Sequence, residues 1–225
     1  MVAAAGGKLE TARAEALNAL CREYWYPLYA YIRRSGNGPE EAKDLTQSFL
    51  LHLLEKGVFG MADRERGRFR TFLLANLKNF LIDQNRRSVA AKRGGGQIFE
   101  PLEKESGEER YRFEPLDSES PDLIYDRGWA KTVLQRAVAR LREESALTKH
   151  GPGFDALKGY VWGERSGVSC AELGRELGIS EEAAKKTVQR MRRRFGELLR
   201  QQIAETVSTP TELEEELRYL ASLLK

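Results

Sequence analysis

Basic side chains at helical spacing carry the most specific chemistry in this sequence. The stretch CAELGRELGISEEAAKKTVQRMRRRF, from Cys170 to Phe195, reads as a short helix, a turn and a second, basic helix. Ala171, Leu173 and Leu177 share one face of the first helix. Gly178 suits the left-handed residue that ends a helix, Ile179 can plug the angle that follows, and Ser180 can cap the next helix. Ala184, Val188, Met191 and Phe195 then line an inner face at spacings of four, three and four. Lys185, Lys186, Gln189, Arg190 and Arg193 are left on outer or flanking faces. Residues 181–200 hold seven Lys/Arg and three Asp/Glu, a net of +4. A basic helix behind a Gly-centred turn fits a DNA major groove. Its Lys and Arg neutralise phosphates, and Gln and Arg also read base edges. Charge alone would equally describe the solvated face of an ordinary bundle; the turn chemistry and the core spacing favour DNA.

A second basic run covers residues 63–93, with nine Lys/Arg and three Asp/Glu, a net of +6. Aromatics interleave with the charge in Arg68-Phe69-Arg70-Thr71-Phe72. Basic groups track a nucleic-acid backbone, and aromatic faces stack unpaired bases. Phe72, at helical spacing beside Leu73, reads as core. Phe69, at a loop–helix junction, fits either role.

Little else could do chemistry. The two histidines, His52 and His150, are far apart, and there is no phosphate-binding loop. Cys21 and Cys170 lie in no CxxC or Cys/His cluster, so no zinc site is expected and both read as reduced thiols. The acidic pairs Glu103/Glu105 and Glu108/Glu109 read as solvated charge. No enzyme activity and no cofactor are expected. No window reaches the ~20 apolar residues of a membrane span, and the N-terminus lacks the pattern of a signal peptide, so a cytoplasmic protein is expected.

The elements that must position these residues are helical throughout. Leu17, Leu20, Tyr24, Leu28, Tyr31 and Ile32 form one stripe, interrupted by Pro27, where a kink is expected. Ser35-Gly36-Asn37-Gly38 is a turn, and Pro39 with Glu40 and Glu41 opens the next helix. Leu45, Phe49, Leu50, Leu53 and Leu54 give that helix its core face. Phe69 to Leu81 marks a third helix running on towards Lys92-Arg93. Residues 99–126 hold ten Asp/Glu and three Lys/Arg, a net of −7, which suggests a poorly ordered linker. Trp129, Val133, Leu134, Ala137, Val138 and Leu141 belong to the first helix of a second unit, and Phe154 to Trp162 to a short one. Ser208-Thr209-Pro210-Thr211 starts a last helix, with Leu213, Leu217, Leu220, Leu223 and Leu224 on one face. The fold expected is all-α, with an N-terminal tail at 1–16, a helical domain at 17–93, an acidic flexible linker at 94–122, a helix-turn-helix domain at 123–207 and a helical extension at 208–225.

Three stretches together resemble a known family. EEAKDLTQSFLLHLLEKG (40–57), GRFRTFLLANLKNFLIDQNRR (67–87) and the helix-turn-helix at 170–199 occur in the order found in bacterial RNA polymerase sigma factors. The resemblance is to the extracytoplasmic-function (ECF) group of the sigma-70 superfamily. It implies that Asp44 and Gln47, with Thr46, Ser48 and Glu55 as neighbours, bind core RNA polymerase. It implies that Arg68, Phe69, Arg70, Asn76, Asn79, Asp83 and Arg86 engage the melted −10 promoter element. Lys185, Lys186, Gln189, Arg190 and Arg193 would read the −35 element as duplex DNA. Spacing alone would place Asp44 and Gln47 on a solvated face, and would let Asp83 simply pair with Arg86 or Arg87. Core polymerase and promoter DNA are the implied partners, with an anti-sigma or other regulatory protein as a further one; no membrane and no small-molecule substrate are implied.

The stretch 145–166 and the tail 208–225 are longer than the family pattern. Three other readings compete. A stand-alone helix-turn-helix regulator leaves the Asp44/Gln47 helix unexplained. A sequence-independent RNA or single-strand binder leaves the helix-turn-helix unexplained. A nuclease or helicase lacks the residues for its chemistry.

Overall fold

The computed structural model describes residues 21–55, 68–90, 107–112, 119–146, 154–162 and 169–224. Among them every regular element is helical, and there is no strand. In chain order these are α1 (21–34), α2 (Pro39–Glu55), α3 (Phe69–Ala90), α4 (Gly107–Tyr111), α5 (Pro121–Ala146), α6 (Phe154–Trp162), α7 (Cys170–Leu177), α8 (Glu181–Ala204) and α9 (Pro210–Leu223). No described helix is long and apolar enough to cross a membrane. The loop expected at 148–153 and the triple glycine at 94–96 fall outside the described residues.

Two apolar cores form. The larger takes Tyr24, Leu28 and Ile32 from α1, Phe49 and Leu53 from α2, and Leu73 and Leu77 from α3. The smaller gathers Leu157, Leu173, Ala184, Val188, Met191 and Leu198 from α6, α7 and α8. Pro27 does not interrupt α1, which stays helical through it. Thr46 is fully buried, and its hydroxyl donates to the Ala42 carbonyl at 2.7 Å. Leu54, expected in the core face, is 41% exposed instead.

One helix serves both cores. Ile124, Tyr125, Trp129, Ala130 and Val133 in the first half of α5 pack in the larger core. Ala137 and Leu141 in the second half pack in the smaller. The stripe advances by threes and fours along 26 residues, a helix about 39 Å long, so one continuous face reaches both. The α8 helix repeats the device, with Leu198 in the smaller core and Ile203 in the larger. Packed side chains therefore cross from one basic unit to the other.

Part of the acidic stretch between them is also docked. Glu108 of α4 accepts from Arg33 Nε at 2.9 Å, from Arg33 Nη2 at 3.0 Å and from the Tyr29 hydroxyl at 2.7 Å. The Arg33 hydrogen bonds hold the Glu108 carboxyl below its ordinary value. Arg110 lies 3.8 Å over the Tyr26 ring. Net charge describes the segment as solvated. A carboxylate facing a bidentate arginine across α1 gives it a fixed partner.

Candidate nucleic-acid interface

The angle between α7 and α8 is built from local chemistry. Ser169 caps α7 by accepting from the Glu172 amide, while the Glu172 side chain accepts from the Ser169 amide. Gly178 ends α7 in the left-handed region, at φ 65°. The Ile179 amide donates back to the Gly174 carbonyl at 2.8 Å. Ser180 caps α8 by accepting from the Ala183 amide at 3.2 Å. Gly174 is also required, for a reason of space. A Cβ on it would lie 2.8 Å from the Ile179 carbonyl oxygen, inside the closest contact real side chains make. Sequence reasoning identified Gly178 and missed Gly174, whose partner comes from the far side of the turn. Its only signal was a glycine in a short helix four residues ahead of another.

Along α8, Lys185, Lys186, Gln189, Arg190 and Arg193 are all exposed. Lys186, Gln189, Arg190 and Arg193 line one open groove of about 550 Å³ with Ile179, Ala183 and Thr187. Lys185 pairs with Glu181 at 2.6 Å, Lys186 with Glu182 at 2.8 Å and Arg193 with Glu197 at 3.4 Å. The hydrogen bond to Glu181 raises the Lys185 pKa. Exposed pairs of this kind hold weakly, so a phosphate can displace the carboxylate. Arg194 does a different job. Its Nε and Nη2 each donate to a Glu144 oxygen at 2.7 Å, and they tie α8 to the end of α5.

The residues expected at the −10 element divide into two environments. Asn79, Asp83 and Arg86 are exposed along α3, with Asp83 and Arg86 at 3.9 Å from each other. Asn76 is partly buried and donates to the Phe72 carbonyl of its own helix at 2.8 Å. Phe69 packs against the larger core, edge-on to Tyr24 with ring centroids 5.3 Å apart. Arg68 and Arg70 face α9. Arg68 pairs with Glu215, and its Nε lies 3.0 Å from Glu216 Oε1. Arg70 is buried, bonded to Glu216 at 3.1 and 3.3 Å and also to Asp126 of α5. Its guanidinium stacks 4.9 Å from the Trp129 ring centroid and 4.7 Å from that of Tyr219. Burial acts to lower the Arg70 pKa, but the Glu216 hydrogen bonds and the Asp126 charge raise it well above the ordinary value. Burial and a hydrogen bond to Asp126 push the Tyr219 phenol up to about 12.

A third surface lies on α2. Asp44, Ser48 and Glu55 are exposed, and Gln47 is partly so. Leu51 and Leu54 join them at 39% and 41% exposure. Positions 44, 48, 51 and 55 fall on one stripe, with 47 and 54 at its edge. Thr46 is not on this face: its buried side chain satisfies a backbone carbonyl and cannot touch a partner directly.

No curated protein and no solved structure matches this chain. The ECF sigma factor family model matches residues 15–202, which takes in α1 to α7 and nearly all of α8. With most of its length matched, the chain belongs to the ECF sigma factor family and is a sigma factor of transcription initiation, a regulatory protein that works with RNA polymerase and promoter DNA.

Proposed function

We propose that this sigma factor joins core RNA polymerase through the outer face of α2 and reads two promoter elements with two separate helices. The exposed face of α8 enters the −35 duplex, with Lys185, Lys186, Gln189, Arg190 and Arg193 on phosphates and base edges. The exposed face of α3, with Asn79, Asp83 and Arg86, meets the melted −10 strand; Arg68, Phe69, Arg70 and Asn76 lie at its N-terminal end. Asp44, Gln47, Ser48 and Glu55 take the polymerase contact, and Leu51 and Leu54 extend it with apolar area. The reading is supported above all by the α8 groove, whose basic row stands on a doubly capped turn of fixed angle. Two duplex and single-strand surfaces on one protein need no catalytic group. Binding extruded bases offsets an unstacking cost of a few kcal/mol.

The test is comigration of the purified chain with sigma-free core polymerase, beside an Asp44→Ala/Gln47→Ala variant. Stable comigration that the variant weakens is expected. A well-folded chain that never comigrates with a compatible core enzyme would instead indicate a stand-alone regulator.

A further inference from the structure

We propose that helix α9 is a built-in latch, whose carboxylates occupy the arginines that the −10 strand needs. The inference rests on the reading of Arg68 and Arg70 as strand-binding residues. The α9 helix lies beyond the matched region, which stops at residue 202. It nevertheless docks on the N-terminal end of α3, at the start of the proposed strand-binding face. The connection into it begins the contact, since the Phe69 amide donates to the Thr206 carbonyl at 3.1 Å. Glu215 and Glu216 then hold Arg68, and Glu216 also holds Arg70. A carboxylate offers an arginine the same planar pair of acceptor oxygens as a phosphate does. Latch and strand are therefore rivals for the same donors.

Release of α9 must part the buried Glu216–Arg70 pair; the rest of its attachment, Leu220 apart, is partly exposed. Leu220 is buried in the larger core, with Leu213, Leu217, Tyr219 and Leu223 packed partly against it. Arg200 pairs with Glu214, where both side chains are about half exposed. Thr209 and Glu212 form a capping box, and Pro210 sits in the first turn. The helix has 14 residues, marginal as an isolated helix in water, so docking supplies most of its stability. Releasing it would return Arg68 to solvent while leaving α1, α2 and α3 packed on α5. In the latched state both arginines are neutralised within the protein. A strand would then bind only through the exposed part of α3.

The experiment uses the full chain and a fluorescein-labelled, mixed-sequence, single-stranded 20-nucleotide DNA. Binding is followed by anisotropy across a salt series. Thr209→Ala/Leu220→Ala loosens α9 without changing charge; Glu215→Gln removes one exposed carboxylate and spares the core. Amide exchange in α9, compared with α1 and α3, reports whether the latch has opened while the fold persists. Opening should tighten DNA binding severalfold and steepen log K against log salt by about 0.7 as Arg68 is freed, Arg70 keeping its Asp126 partner. Adding Arg68→Ala should remove that gain.

Arg86→Ala, on α3 away from α9, separates the two ideas. If α9 opens, affinity does not change, and Arg86→Ala still weakens binding, the latch is overturned and the strand-binding reading survives. If neither Arg86→Ala nor Arg68→Ala affects binding in any background, the strand-binding reading fails and the latch falls with it. If α9 exchanges only when the whole chain unfolds, in both loosened variants, α9 is a fixed part of the fold and the latch is overturned.

Discussion

Arg70→Ala should be among the most damaging single substitutions in the protein. The guanidinium is 9% exposed, between Asp126 at 11% and Glu216 at 2%. Removing it leaves Asp126 with no cation and only Tyr219 on one oxygen, and Glu216 with Arg68 alone, in a nearly dry site. Breaking a buried ion pair in this way costs about 3–5 kcal/mol. At roughly 2–4 °C per kcal/mol for a chain of this size, the melting temperature should fall by about 6–20 °C. The assay is calorimetric melting of the full chain, at low and high salt. A buried cluster is little screened, so salt should not erase the loss. Asp83→Ala is the control. It breaks a 3.9 Å pair whose partners are 78% and 65% exposed, and it should cost no more than about 1 kcal/mol. Glu216→Ala on top of Arg70→Ala should cost less than the sum of the two singles, because both singles break the same buried ion pair. The reasoning fails if Arg70→Ala costs no more than Asp83→Ala, or if the Arg70 and Glu216 effects add.

Gly174→Ala should force the α7–α8 turn apart, because its Cβ would sit 2.8 Å from a backbone oxygen that cannot swing away; a loss of about 1–3 kcal/mol is expected, and an unchanged melting temperature would count against the geometry. Arg190→Ala and Arg193→Ala together should reduce the salt slope of duplex DNA binding by about 2 if both hold phosphates, whereas an unchanged slope would place them outside the interface. Acid should destabilise the fold through Glu108, Glu144 and Glu214. Arginine hydrogen bonds hold all three below their ordinary 4.5, so the stability they add is present above pH 4.5 and is lost as the pH falls through their folded values. Glu23 has the opposite sign. Burial raises its pKa against the pull of Arg136, so its contribution is present at low pH and lost as the pH rises through the raised value. Urea melts of the wild type and of Glu108→Gln across pH 3–7 would test this, the variant losing part of the acid dependence.

Much of this was legible in the sequence because it is local. Helix caps at Ser180 and Thr209, the glycine stop at 178 and the inner stripe Ala184–Val188–Met191 are set by neighbours within a few residues. Backbone hydrogen bonding and a 3.6-residue period determine such features before any tertiary contact forms. The outward row Lys185 to Arg193 follows by subtraction. Residues whose roles depend on distant segments were not legible. Thr46 looked polar and available but is buried, and Leu54 looked apolar and buried but is exposed, because α2 settles by a small rotation that spacing alone leaves open. Glu108 looked solvated until Arg33, 75 residues earlier, was placed beside it. Arg68 and Arg70 looked like a free basic patch. Only the packing of α5 and α9 against the start of α3, 56 and 146 residues away in sequence, brought Asp126 and Glu216 onto Arg70. Helix periodicity fixes which side of a helix is apolar, whereas which charge finds which partner depends on how the helices cross, and only the tertiary structure decides that.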